Sequence, residues 1–249
     1  MIFSIGNQKG GVAKTTTTHS LGFGLRNFGY KVLLIDLDPQ GNLTSIIGCE
    51  KKEFSVLNIL LNEVILEKAV IQVEENIDIL ISDPLLYNVE SKINMAGKEY
   101  RLREALVANK YDYVLIDTPP AMNLLTINAM VATDRLLIPL LADTLSLEGL
   151  NYFYENVSSI KKYYNQDLEI LGVFFANFKE RTNISKKITE FTTQVINDLN
   201  IPLLKTKIRE CTAMKEAQLM RKDIYTYAKT SNASTDYLSL VNEILESLK

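Results

Sequence analysis

Short apolar runs recur along the chain at Ile2–Ile5, Val32–Ile35, Ile77–Ile81, Tyr113–Ile116, Leu136–Leu140 and Ile170–Phe175, with a shorter one near Leu203–Leu204. Several are continuous rather than alternating, the pattern of strands buried on both faces of a parallel sheet. Between them lie stretches with helical spacing. The first begins at about Thr15, carries Leu21, Leu25 and Phe28 on one stripe, and stops at Gly29, a residue suited to ending a helix. Others cover roughly 99–109, 123–132, 146–164, 184–199 and 234–248. This alternation predicts an α/β fold with a doubly wound, mostly parallel sheet and helices on both faces. Right-handed crossovers then gather the loops that follow the strands along one edge. No linker, low-complexity run or internal repeat interrupts the pattern, so residues 1–249 are expected to form a single domain.

Composition adds little to that picture except by exclusion. Apolar residues make up 47% and charged residues 23%, which rules out wholesale disorder and leaves enough apolar surface for a large core. Cys49 and Cys211 stand far apart without a CxxC spacing, so neither a disulfide framework nor a four-ligand metal site is expected, and a reducing cytoplasm fits. No apolar stretch is long enough to span a membrane, and Met1 leads into Ile2 without a basic leader. Net charge is −3, but residues 160–230 hold 13 Lys and Arg against 8 Asp and Glu. A basic C-terminal third on an acidic body allows a local surface for DNA or other phosphates.

The segment with the clearest chemistry is Gly6-Asn7-Gln8-Lys9-Gly10-Gly11-Val12-Ala13-Lys14-Thr15-Thr16, between the first strand and the first helix. Adjacent glycines let successive N–H groups curl toward one centre, and the helix start adds its dipole, so the loop is built to hold phosphate. Lys14 would supply a cation to the β and γ phosphates, and Thr15 a hydroxyl to Mg²⁺. Four β-branched residues, Thr15–Thr18, are a poor way to start a helix on propensity alone. The general expression GxxxxGK[ST] is not met, because Gln8 and Ala13 stand where it wants glycines.

What the loop does match is the deviant pattern KGGxxK[ST], with a second lysine, Lys9, ahead of the glycine pair. In this the sequence resembles the ParA/MinD family of P-loop ATPases. Asp36-Leu37-Asp38-Pro39-Gln40-Gly41-Asn42 looks like that family's switch I, DxDPQGN, and Tyr113 to Pro120 looks like its Walker B strand and switch II. Through DPQGN, the stretch Thr206 to Tyr227, and Lys179-Glu180-Arg181-Thr182-Asn183, the resemblance is closest to the Soj-like ParA partition ATPases. One departure is evident: where the family usually has a proline and RLSEAP after the last strand, this chain reads Arg209 to Ala217 without them.

The resemblance implies an Mg²⁺-dependent ATPase in which the amides of residues 10–15 (Gly10, Gly11, Val12, Ala13, Lys14 and Thr15), with Thr16, hold ATP. Asp117 would bind Mg²⁺ directly or through water, and Asp38 would sit at the metal and orient the attacking water. Lys9 would reach across a two-fold interface to the partner's nucleotide in an ATP-sandwiched homodimer. Asn177 would contact adenine. The sole histidine, His19, reads as a helix-surface residue. The implied function is DNA partition: an ATP-bound dimer binds DNA without sequence preference until a ParB-type centromere-binding protein stimulates hydrolysis. Lys186, Lys187, Lys205, Lys207, Arg209, Lys215, Arg221 and Lys222 are the candidate phosphate contacts, in a cytoplasmic, nucleoid-associated protein. The alternative is a MinD-like positioning ATPase on the membrane, which needs a basic amphipathic C-terminal helix. Residues 236–249 are amphipathic but acidic. An iron–sulfur reductase would need two cysteines near the switch loops, and Cys211 is far beyond them.

Overall fold

A computed structural model describes residues 1–49, 52–93, 96–179 and 183–249. Seven strands form one sheet: β1 (Ile2–Ile5), β2 (Val32–Asp36), β3 (Ile71–Glu74), β4 (Ile77–Leu80), β5 (Tyr113–Asp117), β6 (Arg135–Leu140) and β7 (Glu169–Phe175). Their order is β3-β4-β2-β5-β1-β6-β7, and every pair is parallel except β3 with β4. The doubly wound, mostly parallel sheet is as the apolar runs predict. β2 and β5 are buried almost throughout, which is why they read as unbroken apolar runs.

The helices are α1 (Lys14–Asn27), α2 (Asn42–Ile47), α3 (Val56–Leu60), α4 (Leu66–Ala69), α5 (Val89–Lys92), α6 (Arg101–Leu106), α7 (Leu124–Ala132), α8 (Thr144–Tyr163), α9 (Asn183–Asp198), α10 (Thr212–Leu219), α11 (Ile224–Tyr227) and α12 (Asn232–Ser247). The helix expected at 99–109 is shorter: a 3-10 turn over Lys98–Tyr100 leads into α6, and Asn109 closes it by bonding the Leu106 carbonyl at 2.7 Å. The apolar pair Leu203–Leu204 makes only an isolated bridge to Val173 rather than a strand.

α1 is buried over most of its length between the sheet and α12. Two glycines allow that approach: a Cβ on Gly22 would lie 2.5 Å from Leu34 Cδ2, and one on Gly24 2.7 Å from Val241 Cγ2. His19 is therefore not on the helix surface. It is buried, its ring 4.7 Å from that of Phe23, and burial pushes its pKa down to about 4 against the raising influence of Asp223. On the other face of the sheet a second cluster joins Leu33, Ile35, Val114 and Ile116 to α3, α6 and α7.

The register brings three strand ends together. Asp117 pairs with Ile5 on one side and with Asp36 on the other, so the loops after β1, β2 and β5 open side by side.

Candidate functional site

The loop after β1 is pinned before it is shaped. Asn7 donates from Nδ2 to the Pro139 carbonyl at 2.8 Å, and its Oδ1 accepts the Lys9 N–H at 2.9 Å. Gly11 (φ +75°) and Ala13 (φ +68°) are both left-handed. Ala13, at a place where the general phosphate-loop expression wants glycine, holds that conformation at a cost of about 1 kcal/mol and forms the N-cap of α1. A Cβ on Gly10 or Gly11 would meet nothing, because both face an open cleft of about 560 Å³.

That cleft is lined by Gly10, Gly11, Ala13, Lys14, Thr15 and Thr16 on the loop side, and by Asp38, Gln40, Asn42, Ile46 and Pro120 from the two later loops. Val12 is fully buried instead and anchors the loop in the core. Lys14 is 7% exposed and donates to the Lys9 carbonyl at 3.2 Å. Burial lowers its pKa, while the charges of Asp117 and then Asp38 raise it.

Asp117 is the most anomalous group. Both carboxylate oxygens are buried, and neither makes a hydrogen bond of full geometry among the described residues, although the Thr15 hydroxyl lies close enough to favour the charged form. Burial, then the charge of Asp36, pushes its pKa well up, with the Thr15 side chain and Lys14 pulling the other way. An orphaned pair of oxygens beside a threonine hydroxyl is a donor set that suits a hard divalent cation. Asp36, by contrast, is satisfied: Oδ2 accepts the Thr44 N–H and hydroxyl, both at 2.8 Å, and Oδ1 accepts the Asp38 N–H at 3.2 Å. Burial is the main cause of its pKa rising to about 6. Asp38 is nearly buried and accepts the Gln40 N–H on Oδ1 at 3.0 Å.

The far wall of the cleft comes from Asn177, Glu210, Cys211, Met214, Lys215 and Gln218. Of these the sequence singles out Asn177, which is exposed and left-handed (φ +49°), and Lys215, there read as a DNA contact. The spacing of 211, 214, 215 and 218 is one face of α10 turned to the cleft, a helical signal present in the sequence but not read there. Gln218 fastens that helix to the loop, donating to Thr16 Oγ1 at 2.9 Å.

Lys9 does not line the cleft. Its ammonium donates to both oxygens of Asp143, at 2.7 and 2.8 Å, and to Ser146 Oγ at 3.1 Å. Burial opposes ionisation of Asp143, yet the Lys9 and Ser146 bonds hold its pKa below the usual range.

The candidate basic residues differ in what they already touch. Arg209 commits its guanidinium to Asp236, from Nε at 3.0 Å and Nη2 at 2.6 Å. Lys207 lies over the rings of Phe178 and Phe175, at 4.5 and 5.7 Å. Arg221 and Lys222 flank smaller clefts beside α2 and His19, and Lys187 is exposed on α9. Lys205 donates its backbone N–H to Glu243 Oε1 at 2.6 Å. The side chain of Lys186, and residues 180–182 of the Lys179–Asn183 motif, lie outside the described residues.

A parallel sheet whose first loop curls into the start of a buried helix, with a lysine and a threonine at that start and an aspartate ending a neighbouring strand, defines a P-loop nucleoside triphosphatase. The family model described as an AAA domain matches residues 1–170. The sporulation initiation inhibitor protein Soj of Bacillus subtilis is 37% identical over 249 residues, covering 98% of this chain and 97% of that protein. The chromosome partitioning protein ParA of Caulobacter vibrioides is 33% identical over 252 residues, covering 98% and 93%. The chain therefore belongs to the ParA/MinD family of P-loop ATPases, with relatives of the ParA/Soj partition type. A crystal structure of cobyrinic acid a,c-diamide synthase from Mycobacterium smegmatis, with a bound ATP analogue and magnesium, superposes with a TM-score of 0.86. It is 30% identical and covers 99% of this chain and 95% of that one. Among the described residues no helix is long and apolar enough to cross a membrane.

Proposed function

We propose that residues 1–249 act as one ParA-type DNA-partition ATPase, binding ATP and Mg²⁺ and hydrolysing ATP to ADP and phosphate. The observation that carries this reading is the orphaned Asp117 carboxylate next to Lys14 and Thr15, at a phosphate loop open to the cleft. Thr15, Asp117 and Asp38 would hold Mg²⁺, which when bound neutralises phosphate charge. The amides of residues 10–15 and Lys14 cradle the phosphates, Thr16 supports them, and Asn177 faces the base. Asp38 leaves its own turn to orient the attacking water.

Lys9 serves a second copy of the chain. In a homodimer with two nucleotides at its interface, each Lys9 adds charge to the partner's site, and DNA binding follows from doubling the basic contacts. A ParB-type centromere-bound protein then stimulates turnover, at the nucleoid in the cytoplasm. Lys186, Lys187, Lys205, Lys207, Lys215, Arg221 and Lys222 remain the candidate phosphate contacts. Arg209 is a poor probe of DNA binding, because its replacement also strands Asp236.

The partition reading is favoured over a MinD-like membrane role by α12. Its apolar face, with Ala233, Tyr237, Leu240, Val241 and Ile244, is already buried in the core that contains α1, so it is not free to enter a bilayer.

Sedimentation with ADP and with a non-hydrolysed ATP analogue tests the switch: doubling of mass with the analogue alone is expected. DNA affinity, measured across salt concentrations in the same states, should appear with the ATP analogue, fall steeply with salt, and weaken in Arg221→Glu and Lys222→Glu. Equal DNA affinity with ATP analogue, ADP and no nucleotide would remove the DNA-switch reading. A smaller effect is expected at Asp143→Ala, which frees Lys9. The half-exposed pair is worth at most about 1 kcal/mol. Dimerisation should therefore need about threefold less ATP analogue, read from the same sedimentation series.

A further inference from the structure

The loop that carries Asp38 is held from outside by a residue two positions past the end of β4. Ser82 donates from Oγ to the Asp38 carbonyl at 2.6 Å, and its N–H donates to Thr44 Oγ1 at 3.1 Å. Thr44 is itself fixed to Asp36 through two bonds of 2.8 Å. One serine thus grips both ends of the turn between β2 and α2, and it does so from the segment just after β4, the neighbour of β2 in the sheet.

Pro39 makes this grip more consequential. Because proline has no N–H, the peptide unit between Asp38 and Pro39 has a single hydrogen-bonding group, the Asp38 carbonyl. That oxygen accepts from two donors: the Gly41 N–H at 2.8 Å, which belongs to the turn itself, and the Ser82 hydroxyl. Only the second fixes the plane of this peptide relative to the sheet. The Asp38 carboxylate meanwhile caps its own turn by accepting the Gln40 N–H. To meet a water at the γ-phosphate the carboxylate must leave that bond while its Cα stays in place. Rotation about the side-chain torsions achieves this if the backbone is held, and a catalytic group misplaced by about 1 Å can lose about 100-fold in rate.

We propose that Ser82 is a positioning residue for Asp38. It fixes the Asp38–Pro39 peptide so that the carboxylate swings from a stationary base. A second tether, the contact between Tyr87 Oη and Gln40 Nε2, lies on the exposed side of the same loop and supports it without touching Asp38. Ser82 does not line the large cleft, so its hydroxyl acts on turnover rather than on nucleotide capture.

The inference rests on the proposed role of Asp38, and the test separates the two. Steady-state turnover at saturating ATP and equilibrium binding of a fluorescent ATP analogue are measured for Asp38→Ala, Ser82→Ala and Ser82→Thr. Asp38→Ala is expected to bind the analogue and lose turnover. Ser82→Ala should lower kcat about tenfold with analogue affinity within twofold of the parent. Ser82→Thr, which keeps a hydroxyl, should return kcat to within about threefold. If Asp38→Ala turns over at the parent rate, the catalytic reading of Asp38 fails and takes Ser82 with it. If Asp38→Ala is inactive but Ser82→Ala matches the parent, the positioning role alone is overturned. Parallel losses of kcat and affinity in Ser82→Ala, or no recovery in Ser82→Thr, would also overturn it.

Discussion

Lys14→Ala will lower the affinity for ATP by about 100-fold or more. Charge-assisted bonds to phosphate are worth about 1.5–3 kcal/mol each, and Lys14 is the nearly buried cation of the loop, its charged form favoured by Asp117 and Asp38. Its removal does more than delete an attraction. The two carboxylates that raise its pKa lose their nearby cation, so the surroundings of the loop turn more anionic. Titration of a fluorescent ATP analogue in the presence of Mg²⁺ reads the effect. Affinity within a factor of three of the parent would show that phosphate is held elsewhere. Lys14→Arg is not expected to rescue binding, because the guanidinium is broader than the ammonium that fits this nearly buried position.

Asp117→Asn will have opposite effects on activity and on stability. Turnover should fall below detection, since the carboxylate suited to Mg²⁺ is gone. The nucleotide-free protein, however, should become more stable. Both oxygens of Asp117 are buried without a hydrogen bond of full geometry among the described residues, and Asp36 repels them. Relief of that burden is worth about 2 kcal/mol, or a rise of about 5 °C in the melting midpoint. The pH dependence has a definite sign. A carboxyl whose folded pKa is raised binds protons more tightly folded than unfolded, so its contribution favours folding at low pH and is lost as pH rises through the folded value. Asp36, raised to about 6, acts in the same sense. The stability gain of Asp117→Asn over the parent should therefore widen between pH 5 and pH 8. Melting curves without nucleotide at several pH values measure it; a gain that shrinks with rising pH would contradict the raised pKa.

Much of the fold is legible because buried parallel strands write short apolar runs, several of them continuous, and six of the seven strands of the sheet announce themselves by such a run. β3 does not. Ile71–Glu74 alternates as a half-exposed antiparallel edge strand should, but four residues are too few for that period to stand out. The short helices between residues 42 and 69 span a turn or two each, too little for a period to register. At the site, the phosphate side is legible because its chemistry needs particular residues at fixed offsets: glycines, Lys14, Thr15, and an aspartate at a strand end. The roles of Arg209 and Ser82 are not. Arg209 meets Asp236 across 27 residues and Ser82 meets Asp38 across 44, and no local pattern records such encounters. A positive charge count over residues 160–230 likewise says nothing of whether the charges share a face.

The two margins of the sheet bear on how copies of this chain can associate. Along β7 the outer rim is already taken: Val173 donates to the Pro202 carbonyl and accepts from Leu204, and Phe178 bridges Arg209. At the opposite rim β3 is brief, its ladder slips between Gln72 and Glu74, and Glu74 is tied to Arg26. Neither margin offers the long, flat row of open amides on which a neighbouring polypeptide could add a strand. Among the described residues, growth of the sheet by edge-to-edge pairing between copies is therefore disfavoured.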